Sequence, residues 1–126
     1  MSDYVSSRAP EPVGAFPHAK RVGDFLFLSG IGPRTPGTNA IPTTFEEQAL
    51  AVFRNVRTVL EDAGASWEDI VDVTVFLTNM KRDFPSFNRL YAEHFATNRP
   101  TRTTVEVGAL PTPIDVELKV VAYLKK

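Results

Sequence analysis

The chain has 126 residues, 43% of them hydrophobic and 10% aromatic, and its 14 Lys and Arg against 15 Asp and Glu leave a formal net charge of −1. That is one domain, spanning 1–126, with enough apolar matter for a core, and its scattered cations exclude a nucleic-acid stripe or a polybasic membrane patch. The absence of cysteine excludes a disulfide framework, thiol catalysis and Cys-ligated metal sites, and fits a cytoplasmic protein.

Residues 1–12 are polar and proline-bearing, with no signal-type apolar core, and no apolar run approaches the ~20 residues of a membrane helix. Residues 19–22, the turn Gly23-Asp24 and residues 25–29 read as a hairpin ending at Gly30. Residues 31–44 hold prolines, glycines and threonines without period, the signature of a mobile loop. From Phe45 to Ala63, Ala49, Val52, Phe53, Val56, Val59 and Leu60 recur at helical spacing, with Glu46 and Glu47 in the first turn and Gly64 just beyond. Ser66 caps a short turn, and residues 70–78 alternate as a strand. A second helix is predicted from Asp83, with Pro85 in its first turn and Phe84, Phe87, Leu90, Tyr91 and Phe95 inward.

The chain closes on two alternating segments, 102–107 and 114–121, joined by a turn at Gly108-Ala109-Leu110-Pro111. The predicted order is therefore β-β-α-β-α-β-β, an α+β fold with two helices on one face of a single antiparallel-rich sheet. Alternation allows Arg102, Thr104 and Glu106 to share a face with Asp115, Glu117 and Lys119, so Arg102 and Glu117 are the leading candidates for chemistry. A guanidinium on a rigid strand is a bidentate carboxylate receptor, and a nearby glutamate holds or deprotonates water. A sheet-surface ion pair is the competing reading, and Glu106 has Lys119 as an expected partner across the hairpin. Val121 and Tyr123 on the same face make it too apolar for water, so a neighbouring subunit in closed symmetry is expected to cover it.

No phosphate loop, dinucleotide fingerprint, nucleophile elbow or paired-histidine zinc motif occurs, so no metal or cofactor is called for. His94 reads as helix surface, whereas His18 precedes the first hairpin and is a site candidate. Ser29 lacks a histidine–acid relay and reads either as a ligand-binding hydroxyl or as an ordinary strand end. Arg34 is either a second cation for a dicarboxylate or a solvated loop arginine. Asn88 and Tyr91 sit at helical spacing suited to packing or surface hydrogen bonding.

In Val22-Gly23-Asp24 through Phe27-Leu28-Ser29-Gly30, Ala63-Gly64-Ala65-Ser66, Asn88 with Tyr91 and Phe95, and Pro100-Thr101-Arg102-Thr103-Thr104-Val105-Glu106-Val107 with Glu117, the chain resembles the RidA/YjgF family of imine and enamine deaminases. The resemblance covers nearly the whole chain. It implies a chorismate-mutase-like single mixed sheet, a homotrimer with sites at subunit interfaces, and cofactor-free hydrolysis of a small carboxylate or dicarboxylate. Arg102 and Glu117 take the catalytic roles, with Phe16, His18, Ser29, Gly30, Arg34, Asn88 and Thr104 as substrate-binding candidates. Many deaminating members have a tyrosine at the position of Phe16 and a cysteine or serine at that of Thr104. Phe16-Pro17-His18 and the run from Arg102 to Pro113 are instead similar to the 2-aminomuconate deaminase branch. Expected activities are therefore 2-aminomuconate deamination, general 2-iminoacid deamination, or carboxylate binding without turnover.

Overall fold

Alternating and helical patterns become six strands and two helices in the computed structural model, which describes residues 1–124. In chain order these are β1 (Ser2–Tyr4), β2 (Ala19–Val22), β3 (Phe25–Leu28), α1 (Phe45–Asp62), β4 (Ile70–Leu77), α2 (Met80–His94), β5 (Thr101–Glu106) and β6 (Val116–Tyr123). A 3-10 turn, Trp67–Asp69, leads into β4. The β2–β3 hairpin forms as its sequence predicts, with Gly23 at φ 61° supplying the left-handed turn position. β1 was not foreseen: three residues from the polar N-terminus add an edge strand to β2 through Ser2↔Arg21 and Tyr4↔Ala19.

The strand order is β1-β2-β3-β6-β4-β5. Every neighbouring pair is antiparallel except β4 and β5, so the sheet is mixed. This corrects the hairpin expected between β5 and β6. α2 returns the chain to the starting end of β4, so β5 pairs parallel to β4 at the sheet edge, as a β-α-β unit requires. β6 then runs between β3 and β4.

Both helices cover one face. Leu26, Leu28, Val73, Val75, Leu77, Val116, Leu118 and Val120 are buried against Val52, Val56, Leu60 and Phe87. Each such side chain contributes about 1.5–3 kcal/mol relative to exposure. Thr44 caps α1 by accepting from the Glu47 amide at 3.2 Å, and Gly64 at φ 83° follows its end. α2 starts at Met80, three residues before the expected position, so Pro85 falls in its second turn. The earlier start is stabilised by Asn79 Oδ1 accepting from the Arg82 amide (3.0 Å) and Glu106 Oε1 accepting from the Met80 amide (2.8 Å). Among the described residues, no helix is long and apolar enough to cross a membrane.

α1 also carries two fully buried polar residues seven positions apart, Gln48 and Asn55. Gln48 Oε1 accepts from the Asp115 amide (2.8 Å) while its Nε2 donates to the Pro42 carbonyl (3.2 Å). Asn55 Nδ2 donates to the carbonyls of Gly32 (3.0 Å) and Arg34 (2.9 Å). The 31–44 segment, expected to be mobile, is thereby tethered to α1, and Ile31 bridges to Leu118 besides.

Among the described residues, no element covers the other face of the sheet. Val22, Phe25, Phe27, Val105 and Tyr123 lie there, each between 37% and 44% exposed.

Candidate active site

Register decides which side chains can meet, because paired residues of adjacent strands project from the same face. Val73 and Val75 face the helices and pair with Arg102 and Thr104, while Leu77 pairs with Glu106. Glu117 pairs with Phe76 and Lys119 with Thr74, on the open face. Arg102 and Glu117 of one chain therefore stand on opposite faces of the sheet, correcting the shared face expected from alternation. Val121 and Tyr123 accordingly accompany Glu117 and Lys119, with Arg102 and Thr104 on the reverse side. The expected Glu106–Lys119 pair is absent too. Glu106 caps α2, and Lys119 Nζ donates to the Leu28 carbonyl at 2.6 Å.

Glu117 marks one half of the candidate site. Its carboxylate lies against Gly30, where an added Cβ would collide with Glu117 Oε2 and sit 2.9 Å from its Cδ. Burial raises the Glu117 carboxyl above its ordinary value. A cavity opens here, where β3 leaves the sheet beside β6, and its wall includes Phe16, His18, Ser29, Gly30, Arg34 and Glu117. Six of the nine predicted site residues thus come together.

Several of them are already engaged. His18 is buried, its Nδ1 accepting from the Ser6 amide (2.9 Å) and its Nε2–H donating to the Pro10 carbonyl (2.7 Å). It therefore fastens the N-terminal arm, whose Pro10, Glu11, Pro12 and Val13 form one side of the cavity wall. Ser29 Oγ donates to the Pro17 carbonyl at 2.7 Å. Arg34 donates to Asn39 Oδ1 (2.8 Å) and to the Glu11 carbonyl (2.6 Å), joining loop to arm while its charge stays at the cavity. Phe16 is 42% exposed and offers an apolar surface.

Arg102, Thr104 and Asn88 lie elsewhere. The Arg102 guanidinium rests over the Tyr91 ring, 4.7 Å from its centroid, with Phe84 at 5.8 Å. Among the described residues no acceptor engages it. Thr104 Oγ1 is buried without a hydrogen-bond partner, as is the Tyr91 hydroxyl. Burial pushes the Tyr91 phenol up to about 12 against the opposing influence of Arg102. Asn88 is exposed on α2, four residues after Phe84 and three before Tyr91, and so on their stripe. His94, expected at the surface, is half-buried with its ring 4.7 Å from Phe53. Among the described residues no group of three or more His, Asp or Glu is placed to hold a metal ion.

Sequence reasoning overlooked the arm as a cavity wall and the Phe84–Tyr91 platform. The arm carries no periodic signal. Phe84 and Tyr91 announce a shared helix face through their i, i+7 spacing, and both pack against the core as that spacing predicts; that they also receive Arg102 is not legible from it.

A mixed sheet with two helices on one side and a glutamate-bearing cavity on its rim defines an α+β class of protein. Residues 6–124 match the Endoribonuclease L-PSP family, and the chain belongs to that family, RidA/YjgF. It is 39% identical over 119 residues to a RutC family protein of Pyrococcus abyssi, covering 94% of this chain and 93% of that protein. The E. coli TdcF structure with bound serine superposes with a TM-score of 0.93 at 31% identity, covering 99% of this chain and 100% of the other. RidA from an Antarctic Psychrobacter also gives 0.93 at 31% identity, covering 98% and 100%.

Proposed function

We propose that the protein is a cofactor-free deaminase of a small enamine or imine carboxylate, with 2-aminomuconate as its foremost substrate. The observation that carries this reading is the Glu117 carboxyl, packed over Gly30 in a cavity and raised by burial above its ordinary value, which makes its carboxylate a stronger base. Arg102 supplies the complementary group, a cation on an aromatic bed with no acceptor among the described residues. Since the two occupy opposite faces of one chain, both reach a single ligand only if Arg102 of one copy meets Glu117 of another. The uncovered apolar face supports such assembly, and a homotrimer with sites between subunits is the arrangement proposed. The serine bound by TdcF supports a small α-amino carboxylate as the kind of ligand.

The enamine tautomerises to the imine, and Arg102 holds the adjacent carboxylate, drawing electron density from the imine carbon. Glu117 takes a proton from water as the water oxygen bonds to the imine carbon, and hands that proton to the nitrogen, giving the carbinolamine. The carbinolamine hydroxyl then gives its proton, through the same carboxylate, to the nitrogen as the carbon–nitrogen bond breaks, leaving a carbonyl, free ammonia and the ionised Glu117. For 2-aminomuconate the products are 4-oxalocrotonate and ammonia. Arg34 at the cavity suits the distal carboxylate of such a dicarboxylate. The net charge of −1 supplies no electrostatic footprint for RNA, which favours a small substrate over a ribonuclease reading.

Ammonia release from 2-aminomuconate and from 2-iminobutyrate, generated in the assay, tests this. Wild type is expected to release ammonia, with preference for 2-aminomuconate. Arg102→Ala is expected to lose about ten- to over a hundredfold in kcat/KM, as befits a lost charge-assisted bidentate contact. Carboxylate binding without ammonia release from either compound would reject the deaminase in favour of a binding protein.

A further inference from the structure

We propose that Tyr91, seconded by Phe84, is the positioning residue that presents Arg102 to a substrate carboxylate, which rests on the reading of Arg102 as the carboxylate anchor. A half-buried arginine is commonly held by an acid, but among the described residues none pairs with Arg102, and three acids of the adjoining elements α2, β4 and β5 are engaged elsewhere. Asp83 is paired with Arg82 at 2.7 Å, Glu106 caps α2 at Met80, and Asp72 on the open face accepts from Thr101 Oγ1 at 2.6 Å. What remains for Arg102 is the ring face of Tyr91 at 4.7 Å and that of Phe84 at 5.8 Å.

An aromatic face attracts a guanidinium through its quadrupole without using an N–H group, so the planar fork keeps its donors for a carboxylate. A carboxylate partner would instead occupy those donors and compete with substrate. The platform is itself fixed. Tyr91 stacks on Phe95 at 4.3 Å and lies 5.8 Å from Phe87, which is fully buried. The Tyr91 hydroxyl is buried without a partner, so the ring face, and not the phenol, is what the position uses.

The test replaces Tyr91 with phenylalanine and then with mono-, di- and trifluorinated phenylalanine, which keep the ring's shape while draining its quadrupole. Binding of 2-oxobutyrate and of its uncharged amide is measured by calorimetry, alongside kcat and KM for 2-iminobutyrate. Tyr91→Phe is expected to bind 2-oxobutyrate within about twofold of wild type. Successive fluorination should weaken 2-oxobutyrate in steps totalling about 2- to 30-fold, the range of a cation–π contact, and leave the amide unchanged. KM should rise and kcat hold, because the carboxylate is gripped equally in ground and transition states. Flat 2-oxobutyrate affinity across the series, in a protein where Arg102→Ala abolishes that binding, would overturn the positioning role alone. Equal binding of acid and amide by wild type, or no loss in Arg102→Ala, would overturn the anchor and the platform with it.

Discussion

Glu117 owes its position to a neighbour without a side chain. A methyl group on Gly30 would strike the far end of a flexible carboxylate, which can swing aside, while the surrounding backbone need not move. Gly30→Ala is therefore expected to leave the melting temperature nearly unchanged yet lower kcat as severely as Glu117→Gln, measured by calorimetry and ammonia release. A large stability loss with normal kcat would show that the contact serves packing only. The Glu117 carboxyl also carries a pH signature. Burial raises it above the ordinary 4.5, so the folded chain binds its proton more tightly than the unfolded chain does. Stability thus falls as pH climbs from about that value through the raised one, and the ionised carboxylate is a cost above that window. Glu117→Gln should flatten that decline in denaturation curves and remove the acid limb of the rate profile, since the water-activating form exists only above the raised value.

At the scale of elements, α1 governs the cavity through polar groups as much as through its apolar stripe. Asn55 donates both amide hydrogens to the 31–44 loop, and Leu at that position would leave the Gly32 and Arg34 carbonyls unpaired. Asn55→Leu should cost about 1–3 kcal/mol. Faster hydrogen exchange is expected around the 31–44 loop, and a higher KM if that loop, through Arg34, holds substrate. The N-terminal arm depends in the same way on His18, which joins the Ser6 amide to the Pro10 carbonyl, and on the Asp62 carboxylate, which accepts from Ser6 Oγ and Arg8. His18→Ala should expose the Ser6 amide to exchange and open the cavity wall, leaving β4, β5 and β6 protected.

For the whole molecule, the decisive feature is a sheet with helices on one side only. The reverse face presents Phe25 between Tyr123 and Phe27, its ring centroid 5.2 Å from the one and 6.4 Å from the other, with Val121 paired to Phe27. Copies of the chain covering one another would bury this patch and bring Arg102 of one to Glu117 of the next. An unpaired charge there would cost several kcal/mol on assembly, so Val121→Asp is expected to dissociate the oligomer. Light scattering over a dilution series should then show monomers, and ammonia release from the same samples should vanish with the oligomer. A folded, fully active Val121→Asp monomer would sink both the interface and the shared site.

Helix α1, the β2–β3 hairpin and the two-helix, one-sheet architecture were readable from periodicity, because local spacing reports which face of an element meets the core. The motifs around Ser29-Gly30 and Arg102 likewise point to the family from the sequence alone. Period-2 alternation, however, says only that two residues of one strand share a face; it is silent on which face another strand presents. The pairing of β5 with β4, decided by the return path through α2, turned Arg102 toward the helices, while insertion of β6 between β3 and β4 turned Glu117 the other way. The Asn55 tether, the His18 clasp and the Tyr91 platform were equally hidden, since each joins residues distant in sequence. The sequence by itself determined every element but the short edge strand β1, and the chemical groups; the tertiary structure alone decided that the two leading groups of one chain stand apart, because register and strand order are set by long-range packing.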